Sequence, residues 1–227
     1  MSSIQKILLE IYDRMLETYG SQNWWPAESR FEVMVGAILT QAVSWKNADR
    51  AISSLKLANV MSPKAIRKTS SKKLANLIYS AGYHNEKALK LKALAEYLGK
   101  KFGDSIEQMS KEPSNTIRSE LLAIYGIGKE TADDILLYAL DQPVFVIDTI
   151  TKRLLSRVGI AKESGSYEYY QSIFTTHLNR NLNQFNEFHA LIDHHGSTVC
   201  RKQYPICAKC CLIDICSTGK MSTQYKK

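Results

Sequence analysis

Phe31-Glu32-Val33-Met34-Val35-Gly36-Ala37-Ile38-Leu39-Thr40-Gln41 is apolar almost all round, which suits a central helix buried on every side, with Gly36 leaving room for a close neighbour. Outward from it, apolar residues recur at spacings of three and four in 4–18 (Ile4, Ile7, Leu8, Ile11, Met15), 86–98 and 168–182, the period of amphipathic helices. Strand signals are scarce. The one strand-like run, Pro143-Val144-Phe145-Val146-Ile147, is short and reads equally as a buried connection. Breaks at Trp24-Trp25-Pro26, Ser62-Pro63, Gly82-Tyr83-His84-Asn85, Glu112-Pro113, Gly126-Ile127-Gly128, Gln142-Pro143 and Ser164-Gly165-Ser166 divide the chain into roughly ten helices. The fold class expected is all-α, without internal repeats and with disorder confined to 222–227.

The 227 residues are 44% hydrophobic and 23% charged, too apolar for a disordered chain and enough for one substantial core or two small ones. No apolar run reaches the roughly 18 residues of a membrane helix, and Gly and Pro together number only sixteen, so membrane-spanning and fibrous classes are excluded. Met1-Ser2-Ser3-Ile4-Gln5-Lys6 leads into a stretch carrying Glu10 and Asp13 and not into the apolar core and cleavage site of a secretory signal; a cytosolic protein is expected. The net charge of +8 is uneven, with +8 in 61–101, +5 in 197–227 and −5 elsewhere. Lysines such as Lys68, Lys72 and Lys73 form either a polyanion-binding footprint or a solvated helix face, and charge alone does not choose.

Four of the five cysteines form Cys200-x6-Cys207-x2-Cys210-x5-Cys216, and Cys211 adjoins the third. In a cytosolic chain such density points to a metal or cluster site over disulfides. Four thiolates suit a [4Fe-4S] cluster or a tetrahedral zinc ion. Zinc loops usually present two tight C-x2-C pairs and this loop has one, which favours iron–sulfur while leaving zinc and a disulfide pair open.

Leu121-Leu122-Ala123-Ile124-Tyr125-Gly126-Ile127-Gly128-Lys129-Glu130-Thr131-Ala132 sets two glycines around one apolar residue, ahead of a helix continuing through Ile135, Leu136 and Leu137. Glycine permits positive φ and close backbone approach, and a helix start offers N–H groups to a phosphate oxygen. A bare Gly-x-Gly is nevertheless more often an ordinary helix–helix turn. Asp148 stands between the apolar run and a helix 149–158 whose Ile150, Leu154, Leu155 and Val158 share a face; first principles make it an N-cap.

With these residues in hand, the chain resembles the helix-hairpin-helix (HhH-GPD) DNA glycosylases of the endonuclease III family. The x6, x2, x5 cysteine spacing at the carboxyl end matches that family's iron–sulfur loop, and Val146-Ile147-Asp148-Thr149 follows the hairpin at the family's distance. The resemblance implies two helical subdomains with the DNA-binding cleft between them: a six-helix domain over 23–137, and a discontinuous domain of 1–22 and 138–227 holding the cluster loop 200–216. It implies a structural [4Fe-4S] cluster on Cys200, Cys207, Cys210 and Cys216, with Arg201, Lys202 and Lys209 presented to DNA phosphates. Gly126, Ile127, Gly128, Lys129 and Thr131 become the hairpin's DNA contacts, and Asp148 becomes the catalytic carboxylate. The chemistry needs an anion because breaking an N-glycosidic bond builds positive charge on the sugar. Family members that also cut the strand carry a lysine two residues after the second hairpin glycine. Here that position is Glu130, and Lys129 is turned from it by about 100° of helix, so a monofunctional glycosylase acting through water is expected. Tyr125 replaces the family's usual proline before the first glycine.

Trp24-Trp25-Pro26, Leu39-Thr40-Gln41, Gly82-Tyr83-His84-Asn85-Glu86-Lys87-Ala88 and the hairpin with Glu130 together resemble one subgroup, the bacterial 3-methyladenine DNA glycosylases of the endonuclease III type. By that resemblance Trp24, Trp25, Pro26 and Trp45 line the base pocket and Gln41 fills the gap left by the flipped nucleotide, while His84 and Lys87 lie outside, on a DNA-facing or solvated surface. A purine alkylated at N3 or N7 is cationic, and tryptophan faces attract it beyond a normal base. Two features depart from the subgroup: it is met without the iron–sulfur loop, and it carries a lysine after a late His-Gly pair where this chain has His195-Gly196-Ser197. His195 is expected to be structural, capping a helix end near the cluster. The expected partner is damaged duplex DNA, bound by a monomer in the cytoplasm on the nucleoid. The alternatives are a glycosylase with lyase activity on oxidised or mismatched pyrimidines, and a non-catalytic iron–sulfur DNA-binding protein.

Overall fold

The computed structural model describes residues 2–224, and among them there is no strand. The chain separates into two compact units, one of Trp25–Gln142 and one of Met1–Trp24 with Pro143–Lys227. The discontinuous unit opens with α1 (Ser3–Tyr19). The continuous unit follows with α2 (Arg30–Leu39), α3 (Trp45–Leu57), α4 (Pro63–Lys68), α5 (Ser71–Leu77), α6 (His84–Phe102), α7 (Ile106–Ser110), α8 (Ser114–Ala123) and α9 (Lys129–Asp134). The discontinuous unit then resumes with α10 (Thr149–Val158), α11 (Tyr167–His177), α12 (Leu182–Thr198) and α13 (Ser217–Gln224). No helix among the described residues is long and apolar enough to cross a membrane.

Caps written into the sequence set many of these ends. Ser2, Ser29, Ser62, Ser70, Ser105, Ser166 and Asn181 each accept from a first-turn N–H of the helix that follows, worth about 1 kcal/mol apiece. In the continuous unit every residue from Phe31 to Leu39 is buried, as the all-round apolar pattern requires. The neighbour that Gly36 admits is Trp25: a Cβ on Gly36 would lie 2.9 Å from its ring carbon Cζ2. The helix begun by α9 continues past Asp134 in a wider π-helical turn, Ile135–Ala139. Gln142 Nε2 then donates to the carbonyls of Ser110 (3.3 Å) and Glu112 (2.9 Å), and the unit ends at Gln142, five residues beyond the boundary at 137 read from the sequence.

In the discontinuous unit the run Pro143–Ile147 is a connection without strand pairing, with Phe145, Val146 and Ile147 buried. Phe145 stacks on Phe174 at 3.6 Å and meets Phe185 and Phe188 edge-on. Leu8, Ile11 and Met15 give α1 a buried face of helical spacing. At the carboxyl end α13 runs through Gln224, so the first half of 222–227 is helical; residues 225–227 lie outside the described residues.

Candidate functional site

In the continuous unit, Trp25 and Trp45 are half-buried and meet edge-on at 5.7 Å, and Tyr138 meets Trp25 edge-on at 5.4 Å. Tyr138 was hidden in the sequence inside the apolar run Ile135–Leu140; the π-helical turn carries it to this cluster. Pro26 is exposed beside Trp25, and Trp24 belongs to the other unit. Because the Trp25 ring rests on the bare backbone of Gly36, Gly36→Ala is expected to displace it. Overpacking of this kind costs about 1–3 kcal/mol, and the expected readout is a melting temperature lower by several degrees with altered tryptophan fluorescence.

The hairpin forms as the glycines predict: Gly126 has φ 77° and Gly128 caps α9 without any side-chain bond, the open helix start that an anion can approach. A side chain on Gly126 would collide with Lys90 at 2.4 Å. Ile127 is buried, while Lys129 and Glu130 are exposed in the first turn, where an acidic residue suits the positive helix end. Tyr125, in the usual proline position, donates to Glu86 (2.6 Å). Behind the hairpin, Arg118 donates twice to the fully buried Asp133 (2.6 and 3.1 Å). Gln41 is docked on the hairpin: Nε2 donates to the Gly126 carbonyl (3.2 Å) and to Thr131 Oγ1 (2.9 Å), and Oε1 accepts from Lys90 Nζ (2.7 Å). Gln41, Gly126 and Thr131 are thus brought together.

Lys87 is corrected by the structure. It does not lie on an outer surface: it is 1% exposed and donates to the carbonyls of Leu39, Gln41 and Ala81. Burial, and then the charge of Lys90, draw its ammonium down to about 8. His84 is half-buried and packs against Tyr79 at 4.8 Å. Just before His84, Tyr83 is 73% exposed with φ 45°, a left-handed backbone that a bulky residue rarely adopts.

In the discontinuous unit, Asp148 is the N-cap of α10. Its Oδ1 accepts from Thr151 N–H at 2.6 Å, which fixes the carboxylate, while Oδ2 accepts no bond from the described residues. Asp193 on α12 feels this charge: loss of surrounding solvent, and then Asp148, raise its carboxyl above the usual range, although part of its surface stays open to water. Farther along α10, Arg153 donates to the carbonyls of Cys200 and Gly196, and Arg157 to those of Cys200, Arg201 and Lys202. The helix that starts at Asp148 therefore also holds the cysteine loop. Beside it lies a recess of about 430 Å³ lined by Thr149, Lys152, Arg153, Ser156, Arg157, Glu163 and Lys202, so Lys152 joins the basic residues named from sequence.

Cys200, Cys207, Cys210 and Cys216 line one cavity, and none is in a disulfide. Arg157 Nη1 lies 3.3 Å from Cys200 Sγ, Leu212 N–H 3.4 Å from Cys210 Sγ and Gly219 N–H 3.4 Å from Cys216 Sγ, so three of the four sulfurs have donors of the kind that stabilise thiolates. Burial pushes the Cys210 thiol up to about 12 and raises that of Cys216. Among the described residues no three His, Cys, Asp or Glu side chains converge closely enough to hold a single metal ion. Arg201, Lys202 and Lys209 are exposed around the loop. His195 is fully buried, with Nδ1 2.7 Å from Tyr19 Oη and Nε2 3.6 Å from Cys210 Sγ, and its carbonyl accepts from Val199 and Cys200 N–H at the end of α12.

A hairpin with an open helix start is thus followed along the chain by a capped carboxylate and a four-cysteine loop. The chain belongs to the HhH-GPD superfamily of base excision DNA repair proteins, whose family model matches residues 35–180, and it is a DNA glycosylase of that family. It is 44% identical over 213 residues to the candidate DNA repair glycosylase MJ1434 of Methanocaldococcus jannaschii, covering 93% of this chain and 96% of that protein. The fold is similar to endonuclease III in a non-covalent DNA complex, with a TM-score of 0.84 at 20% identity over 99% of this chain and 100% of that one. It is also similar to the H. pylori 3-methyladenine DNA glycosylase bound to 1,N6-ethenoadenine, with a TM-score of 0.73 at 26% identity over 86% and 98%.

Proposed function

We propose that the protein is a monofunctional glycosylase that removes alkylated purines such as 3-methyladenine from duplex DNA by hydrolysis. The observation that carries the substrate class is the Trp25–Trp45–Tyr138 cluster, whose two tryptophans are only half-buried. Electron-rich rings attract a cationic base more than a neutral one. That positive charge also weakens the glycosidic bond, so departure of the base needs little help from an acid. Asp148 supplies the anion: Thr151 N–H holds Oδ1, and Oδ2 faces the developing positive charge of the sugar and orients the attacking water. Trp25, Pro26 and Trp45 hold the base, and Gln41 fills the vacated position. The hairpin residues Gly126, Ile127, Gly128, Lys129 and Thr131 bind backbone phosphate, as do Arg201, Lys202 and Lys209 with Lys152. Glu130 at the position of the strand-cutting lysine supports the monofunctional reading, since a carboxylate forms no Schiff base with the opened sugar.

The four cysteine sulfurs around one cavity suit a [4Fe-4S] cluster, whose several iron atoms spread the ligands wider than one zinc ion does. When bound, the cluster supplies coordination bonds that order the basic loop; with all four positions taken by protein sulfur it offers no site to substrate.

The test is a panel of duplexes bearing alkylated purines, oxidised pyrimidines and mismatched thymine or uracil, assayed for free base, with strand breaks scored before and after hot alkali. Free alkylpurine is expected, with strands intact until alkali. Release from pyrimidine lesions alone removes the substrate assignment. A borohydride-trapped adduct through Lys129 removes the monofunctional one, and no free base from any duplex leaves only a DNA-binding protein.

A further inference from the structure

Lys87 rises from the first turn of α6 into a place where no carboxylate of the described residues meets it. Its three donors are used up by backbone: Leu39 O at 2.8 Å, Gln41 O at 2.7 Å and Ala81 O at 2.7 Å. The first lies at the carboxyl end of α2, where carbonyls lack helical partners and a cation is favoured. The other two come from separate loops, the one joining α2 to α3 and the turn that leads into α6. Each loop contains a non-glycine residue in left-handed backbone, Ala42 at φ 59° and Tyr83 at φ 45°, a conformation that persists only where surroundings enforce it. A buried ammonium without a counter-charge is costly, and an apolar side chain would fill the same volume. What the ammonium adds is a fixed link between two loop backbones.

Resting on the glycosylase reading above, in which Gln41 occupies the emptied position, we propose that Lys87 is a positioning residue: it pins the Gln41 loop to the Ala81 turn so that Gln41 enters the duplex on a rigid backbone. One turn along α6, Lys90 holds the Gln41 side chain against the hairpin through Oε1. That contact must open for Gln41 to swing into DNA, whereas the three Lys87 bonds hold only backbone and survive the swing.

The experiment uses the full chain and a duplex carrying a tetrahydrofuran abasic analogue opposite 2-aminopurine, whose fluorescence reports entry of a side chain into the gap. The empty position does not depend on which base is excised. Lys87→Met is expected to slow the fluorescence change at least tenfold and Lys87→Gln, which keeps an amide donor, at least threefold. Affinity for an undamaged duplex should change less than threefold, because a buried ammonium touches no phosphate. In a Gln41→Ala background Lys87→Met should alter the remaining signal less than threefold. Should the methionine variant fail to fold, as judged by circular dichroism, the glutamine variant carries the comparison. Gap entry as fast as the parent in the folded variants, an equal loss in the Gln41→Ala background, or a matching loss of undamaged-duplex affinity overturns the proposal. A parent that enters the gap yet releases no alkylpurine fails the substrate assignment alone.

Discussion

Asp148→Asn is expected to slow single-turnover base release by about 10³-fold while leaving the melting temperature within a few degrees of the parent. The magnitude follows from charge: a carboxylate about 4 Å from a forming cation, at an effective dielectric near 20, is worth about 4 kcal/mol, and each 1.4 kcal/mol is about tenfold in rate. The structural side follows from the cap. Thr151 N–H is bonded to Oδ1, and asparagine offers a carbonyl oxygen there almost as well as aspartate. Asp148→Ala loses both, so it should show the same kinetic defect plus about 1 kcal/mol of destabilisation. Comparing the two variants separates the charge from the cap. Base release by Asp148→Asn at the parent's rate would end the catalytic assignment.

Asp148 illustrates how far the sequence could be read. A polar residue between a buried run and an amphipathic helix declares its cap from local pattern alone, and the cap is present. The hairpin glycines and the gathering of four cysteines were legible for the same reason: short spacing leaves the chain few ways to place them. The burial of α2 was legible because nine successive residues with one carboxylate among them cannot face water, and Gly36 announced a close neighbour, though not that the neighbour was Trp25. Lys87 was illegible. It sits in a helix that also carries Lys90, Lys92, Lys100 and Lys101, and nothing local distinguishes a lysine in water from one whose ammonium meets three carbonyls contributed by residues as far as 48 positions away. Tyr138 was hidden by the opposite effect: in an apolar run every position looks like core, and the π-helical turn that redirects it leaves no periodic mark.

Replacing Cys207 with alanine is expected to remove more than nine-tenths of the bound iron and to expose the loop 200–216 to trypsin at Arg201, Lys202 and Lys209. The reason lies in how little apolar burial holds the middle of the loop. Leu212 is its one buried hydrophobic residue, worth about 2 kcal/mol, against a backbone ordering cost of about 1 kcal/mol or more for each residue. The bonds from Arg157 to the Cys200, Arg201 and Lys202 carbonyls fix the first few positions, and Arg14 holds the Cys211 carbonyl and the Asp214 carboxylate toward the far end, which leaves the middle of the loop around Cys207 to the sulfurs. Metal–thiolate coordination is of the size needed, on the order of 10 kcal/mol for small structural sites. The parent, purified without oxygen, should therefore contain about four iron and four sulfide per chain and resist trypsin. Cys211→Ala is the internal control, because Cys211 does not line the cavity and its loss should leave the iron in place. One zinc and no sulfide in the parent would replace the cluster with a single ion; full iron in Cys207→Ala would remove that cysteine from the ligand set. Either result should leave Asp148→Asn as slow as before, because in the proposed function the loop makes only phosphate contacts and the carboxylate acts on the sugar.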